Sequence, residues 1–320
     1  MAHENPSTKT ATLTDLAGHD AALLSAIEIG LGSVLHAWRI PFAGYFLSLN
    51  QGFLLSRSVL RARHSEGART LPLTISSITA LLKSLSPAGK KLTPMLAISA
   101  QGALFSAGTL AFGANAVGVA AGSAAASFWA FIQPVLIYWI FFGDTLIKLG
   151  TYYFQKVLEK LPISGAQVGV TLVALILLKA VIAVVLSLVA ARIPEALTPY
   201  EKKLLQLAAQ RQSTRAKVGD ATSSPSVGGA AKLAIRDLSQ PLFFVFLLMT
   251  LAFLLLAEAN AATLIWAMLR PIAVGFVVFF VLRAFSFEPI LQRLEKSGRG
   301  ISLARSFRTA IATLRTFELR

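Results

Sequence analysis

Residues 164–191 contain a single charged side chain, Lys179. A helix needs about 20 predominantly apolar residues to cross a bilayer, so this stretch reads as a span with length to spare for tilt. In hydrocarbon every backbone N–H and C=O must find a partner inside the chain, which leaves helices as the way to build such a segment. The pattern recurs at 21–38, 40–60, 92–112, from a turn at 113–115 to Phe142, at 241–257 and at 261–284. The whole chain of 320 residues is 55% hydrophobic and 14% charged, with a mean hydropathy of +0.66. Soluble domains carry about a quarter charged residues. The expected class is all-α, a polytopic transmembrane helix bundle of about six or seven spans.

The segments between spans differ in kind. Residues 1–19 are polar and lack the basic start and apolar centre of a cleavable signal peptide. Residues 71–85, "LPLTISSITALLKSL", are short and partly polar, which predicts a re-entrant or half helix. Residues 144–160 place Leu146, Leu149, Tyr153, Val157 and Leu158 at helical spacing among lysines, as an amphipathic helix lying in the interface does. The resulting division is a polar segment at 1–19, a bundle at 20–160 and a further span at 161–191. A basic helix with a Ser/Gly/Pro-rich linker follows at 192–239, then a hairpin of spans at 240–285 and a basic tail at 286–320.

Charge supplies an orientation. Segments 57–69, 83–91, 192–236 and 283–320 are rich in Lys and Arg and are expected on the cytoplasmic side, with the uncharged turn at 113–115 on the other. The net charge of +15 fits contact with anionic lipids and calls for no nucleic acid. With no cysteine there are no disulfides, thiolate metal sites or cysteine nucleophiles.

No P-loop, zinc-protease helix or nucleophile elbow is present, so no catalytic residue, metal site or cofactor is assigned and the chain is not read as an enzyme. His3, His19, His36 and His64 are scattered. Amides inside spans are a different matter, because polar groups at membrane depth face a bundle interior or a cavity. Asn50, Gln51, Gln101, Asn115 and Gln133 are candidate substrate-binding residues, with Gln101 and Asn115 expected near one another at the outward end of a pocket. The alternative is that they are interhelical hydrogen-bonding glue. Gly118, Gly122 and Ser123 form a small-residue face for close helix approach, either to a partner or within the bundle. Lys179 and Arg270 are candidates to pair with Glu28 or Glu258, unless Lys179 snorkels.

Ser86-Pro87, Gln101 followed by Ala103-Leu104-Phe105, Gly108, and Gly113-Ala114-Asn115 resemble the motifs of S components, the membrane substrate-binding subunits of energy-coupling-factor transporters. Over about residues 30–140 the chain is most similar to the cobalt/nickel transport subunits among them. The stretch "HAWRIPFAGYFLSLNQGFLL" also looks like the first helix and loop of vitamin-binding members. The metal-transporting relatives carry a histidine near the mature N-terminus and another before the short helix. Here Thr74 or a neighbour stands at the second place, so the resemblance implies a vitamin-like or other small solute rather than a metal ion. It also implies a separate P-loop ATPase, a coupling membrane subunit and a bacterial inner-membrane location. The competing expectation is a membrane scaffold or assembly protein that transports nothing and binds anionic lipid or an envelope partner through its basic segments.

Overall fold

A computed structural model describes residues 6–37, 43–85, 92–160, 164–190, 192, 227–239, 241–257, 260–284 and 301–316, and all regular structure among them is helical. The helices are α1 (Pro6–Ala37), α2 (Ala43–Arg61), α3 (Leu71–Leu85), α4 (Leu92–Phe112), α5 (Ala116–Phe142) and α6 (Asp144–Leu158). They continue with α7 (Gly165–Ala190), α8 (Val227–Leu238), α9 (Pro241–Leu256), α10 (Ala261–Ala284) and α11 (Ile301–Thr316). Among the described residues, four stretches are long and apolar enough to cross a membrane: Thr93–Phe112, Ala116–Phe142, Gly165–Ala190 and Ala261–Val281. Ser86-Pro87 and Glu258 lie outside the described residues.

The polar segment expected at 1–19 is largely helix. α1 opens with Pro6, whose missing N–H is no loss in a first turn. It then carries Leu13, Leu16, Ala17 and Gly18 on an inward side, with Asp15 exposed.

The chain forms two compact units. Unit 1 comprises residues 1–130, 177–222 and 287–320, and unit 2 comprises 131–176 and 223–286.

In unit 1, α1 is enclosed. Every residue from Ala21 to Glu28 is buried, and Leu23, Leu24 and Ile27 share one core with Leu55 and Val59 of α2, Ile75 and Ile78 of α3, and Phe307 of α11. α2 runs antiparallel to α1: Ser58 Oγ donates to Asp20 Oδ2 at 2.6 Å, and a Cβ on Gly32 would sit 3.3 Å from Leu47. α3 runs parallel to α1, since Thr79 Oγ1 reaches the Ala21 carbonyl at 3.3 Å and Lys83 Nζ the Glu28 carbonyl at 2.8 Å. α3 and α4 form an antiparallel pair that Gly102 draws close, because a Cβ there would overlap the Ser76 side chain. α4 and α5 cross backbone against backbone: a Cβ on Gly108 would overlap the Gly122 main chain, and one on Gly122 would lie 2.6 Å from the Phe105 carbonyl.

One expectation from charge fails here. Thr109 Oγ1 donates to the Arg69 carbonyl at 2.7 Å, and the Leu73 N–H to Ser106 Oγ at 2.8 Å. The uncharged turn at 113–115 and the basic connection at 62–70 therefore share one end of unit 1 instead of facing opposite sides. Lys83 lies twelve residues further along α3, roughly 18 Å away at 1.5 Å per residue. A one-dimensional charge count cannot see that α3 and α4 return on each other.

Unit 2 is held by aromatic rings. Phe141, Phe142 and Phe243 are buried against Tyr138, Phe246 and Phe279, with Tyr138 stacked on Phe246 at 4.2 Å between centroids. Leu238 of α8 fits against Gly275 of α10, where a Cβ would lie 2.7 Å from it. Gly143, at φ +57°, begins α6, and the Arg270 guanidinium packs on it.

Candidate functional site

The five amides take separate places. Gln51 points from α2 between α3 and α4, and its Nε2 donates to Ser76 Oγ at 3.1 Å and to the Ile98 carbonyl at 2.9 Å. Gln101 is buried on α4 at the same layer, next to the Gly102–Ser76 contact. Asn115 is a helix cap: its Oδ1 accepts the Gly118 N–H at 3.0 Å and its Nδ2 donates to the Phe112 carbonyl at 2.8 Å. Gln101 lies eleven residues before the end of α4, roughly 16 Å along its axis, so it and Asn115 are not neighbours. Gln133 is buried in unit 2.

The small-residue face turns inward. Gly118 closes the turn, where a Cβ would overlap the Gly113 carbonyl. Gly122 accommodates α4, and Ser123 Oγ meets Ser56 Oγ of α2 at 3.5 Å.

Asn50 differs from its neighbour Gln51. One residue along a helix is a turn of about 100°, so Asn50 points away from the α3–α4 side that Gln51 faces. Leu47 meets α1 at Gly32, and α2 runs antiparallel to α1. One turn along α2 from Leu47 therefore corresponds to one turn back along α1 from Gly32, which sets Asn50 at the level of Glu28. Its Nδ2 is buried without a hydrogen-bond partner, and so is Ser25 Oγ on α1. Ser25, Glu28 and Gly32 lie on one stripe of α1 by their spacing of three and four residues. Ser25 is 1% exposed and Glu28 4%.

Lys83 completes the level. It donates to the Glu28 main-chain carbonyl at 2.8 Å, and from there its charge acts on the Glu28 carboxylate without a direct ion pair. The seam between α1 and α3 thus holds a carboxylate, an ammonium and a hydroxyl, with the Asn50 amide at the same height on α2. An isolated buried ion costs several kcal/mol, which the opposite charge offsets in part. A buried donor left without a partner costs about 1–3 kcal/mol.

Of the charge pairs expected, those with Glu258 lie outside the described residues. Lys179 is buried; it donates to the Ser127 carbonyl at 3.1 Å and lies 4.5 Å over the Tyr45 ring, an arrangement that favours a cation on the π face. These described contacts do not include Glu28, and the side chain is buried instead of snorkelling. About two turns before Glu28 on α1, Asp20 takes the Ser58 hydroxyl, with His19 Nδ1 at 3.3 Å. Sequence marked Glu28 and Asn50 but not Ser25 or Lys83. Only the parallel pairing of α1 with α3 joins residues 55 positions apart. No protein-family model, curated protein or solved structure matches the chain.

Proposed function

We propose that the protein is a polytopic membrane subunit that captures a small polar solute and passes it across the membrane, in the manner of an S component. In this reading α1, α2 and α9 cross alongside the four long apolar helices, with α3 as a half helix and α6 in the interface. Unit 1 is the capturing bundle, and the bacterial inner membrane is its location. A separate P-loop ATPase and a coupling membrane subunit supply the energy. The observation that carries the reading is the seam: an enclosed helix holds Ser25 and Glu28 at the level of Asn50, with two donors unsatisfied. Polar groups of this kind in a membrane bundle are costly and mark solute or ion pathways.

The test is native purification of the full-length protein in lipid nanodiscs, followed by mass spectrometry of the small molecules and proteins retained. Wild type is expected to hold a solute that Glu28→Gln and Asn50→Ala variants lose while their elution profile is unchanged. Retention by the variants equal to wild type, or no solute in any preparation, would sink the proposal.

A scaffold reading rests on Gln51, Asn115, Gly118 and Ser123, each engaged in internal contacts that tie helices together. It gains if the same preparation holds an envelope protein, no ATPase and no solute.

A further inference from the structure

One end of unit 1 gathers basic side chains from distant parts of the chain. Arg61, Arg63 and Arg69 are exposed in and beside the connection between α2 and α3. That connection is fixed to the start of α1, since a Cβ on Gly67 would lie 3.2 Å from Leu13, and Ala62 and Ala68 join the same core as Ala17. α11 docks at this place too: Ser306 Oγ donates to the Thr14 carbonyl at 3.0 Å, and Gly18 admits Thr309 at a distance that would leave a Cβ only 2.6 Å of room. Exposed Arg305 is the residue before Ser306. The acidic residues exposed here are Asp15 and Glu66.

Apolar side chains border the arginines. The Thr109–Arg69 contact places the end of α4 and the start of α5 alongside, where Leu110 is 52% exposed, Phe112 57% and Val117 63%. α4 and α5 are two of the helices able to cross a membrane. Arginines beside exposed apolar side chains at the end of such helices match the boundary where lipid phosphates meet acyl chains. A soluble acidic protein would supply the charge but leave Leu110, Phe112 and Val117 in water.

We infer that this end of unit 1, built from Arg61, Arg63, Arg69 and Arg305, is an interface for anionic phospholipid headgroups. The turn at 113–115 then lies on the same, anionic-leaflet side as the basic connection. The inference does not depend on solute capture.

Because the chain has no cysteine, Ser65→Cys and Ala116→Cys variants each carry one thiol. Both are expected to react with an impermeant maleimide from the cytoplasmic side only, and labelling from opposite sides overturns the inference. Native mass spectrometry of the full-length protein titrated with phosphatidylglycerol or phosphatidylcholine reads the binding. Phosphatidylglycerol is expected to be retained over phosphatidylcholine, with about fivefold weaker retention for each arginine changed to Gln. Arg→Lys changes at the same positions should keep most of it. Equal retention of the two lipids, displacement of phosphatidylglycerol by millimolar inorganic phosphate, or an unchanged Arg61→Gln/Arg63→Gln/Arg69→Gln/Arg305→Gln variant would each overturn it.

Discussion

Unit 1 buries Asp20, Ser25, Glu28, Gln51, Arg57, Ser76, Thr79 and Gln101, whereas the polar residues that unit 2 buries, among those described, are Gln133 and Thr250. Unit 2 instead packs Phe141, Phe142 and Phe243 against further rings. A membrane helix bundle has little hydrophobic drive between its helices, so shape and hydrogen bonds do the holding. Aromatic packing achieves that in unit 2 without a buried charge among its described residues. The buried charges of unit 1 are the reason the capture site is proposed there.

The sharpest way to break this contrast is Lys83→Met, which leaves Glu28 buried without its counter-charge. The variant should lose about 3–5 kcal/mol in detergent unfolding. Adding Glu28→Gln should recover most of that loss, and failure to recover would mean that Lys83 matters for packing alone. Next in size, Phe243→Ala removes a ring that meets Phe141 and Phe142, at a cost of about 3 kcal/mol. Faster hydrogen exchange is expected in α9 and residues 131–142, with α1–α3 and solute retention unchanged. Equal loosening of both units would remove the division between them. The smallest effect belongs to Asn115→Ala, about 1 kcal/mol for a lost helix cap, restored by Asn115→Asp. Loss of solute with the stability intact would move Asn115 from the turn into the site.

Helix positions were readable from local chemistry. Gly113 at φ +92° and Asn115 end one helix and cap the next, and α4 starts and stops at the residues expected from hydropathy. The amphipathic spacing after Asp144 likewise became α6, with Leu149 on its buried side. Partners were not readable, because a helix pattern fixes which face is polar and not what meets it. Glu28 was expected to need a cation, and Lys179 or Arg270 qualified as well as any. The structure supplies Lys83 because α3 lies parallel to α1. The site was half legible for the same reason: Asn50 and Gln51 are adjacent amides, and only three-dimensional packing shows that one is satisfied and the other is not.

The contact between Ser306 and Thr14 spans 292 positions. A ribosome adding about 5–20 residues per second takes roughly 15–60 s to cover that interval. Throughout it, the side of α1 around Thr14 and Gly18 has emerged while its covering helix does not yet exist. Unit 1 is therefore closed by residues translated long after α1, and a nascent chain stalled before Ile301 would present an open groove to whatever assists membrane insertion.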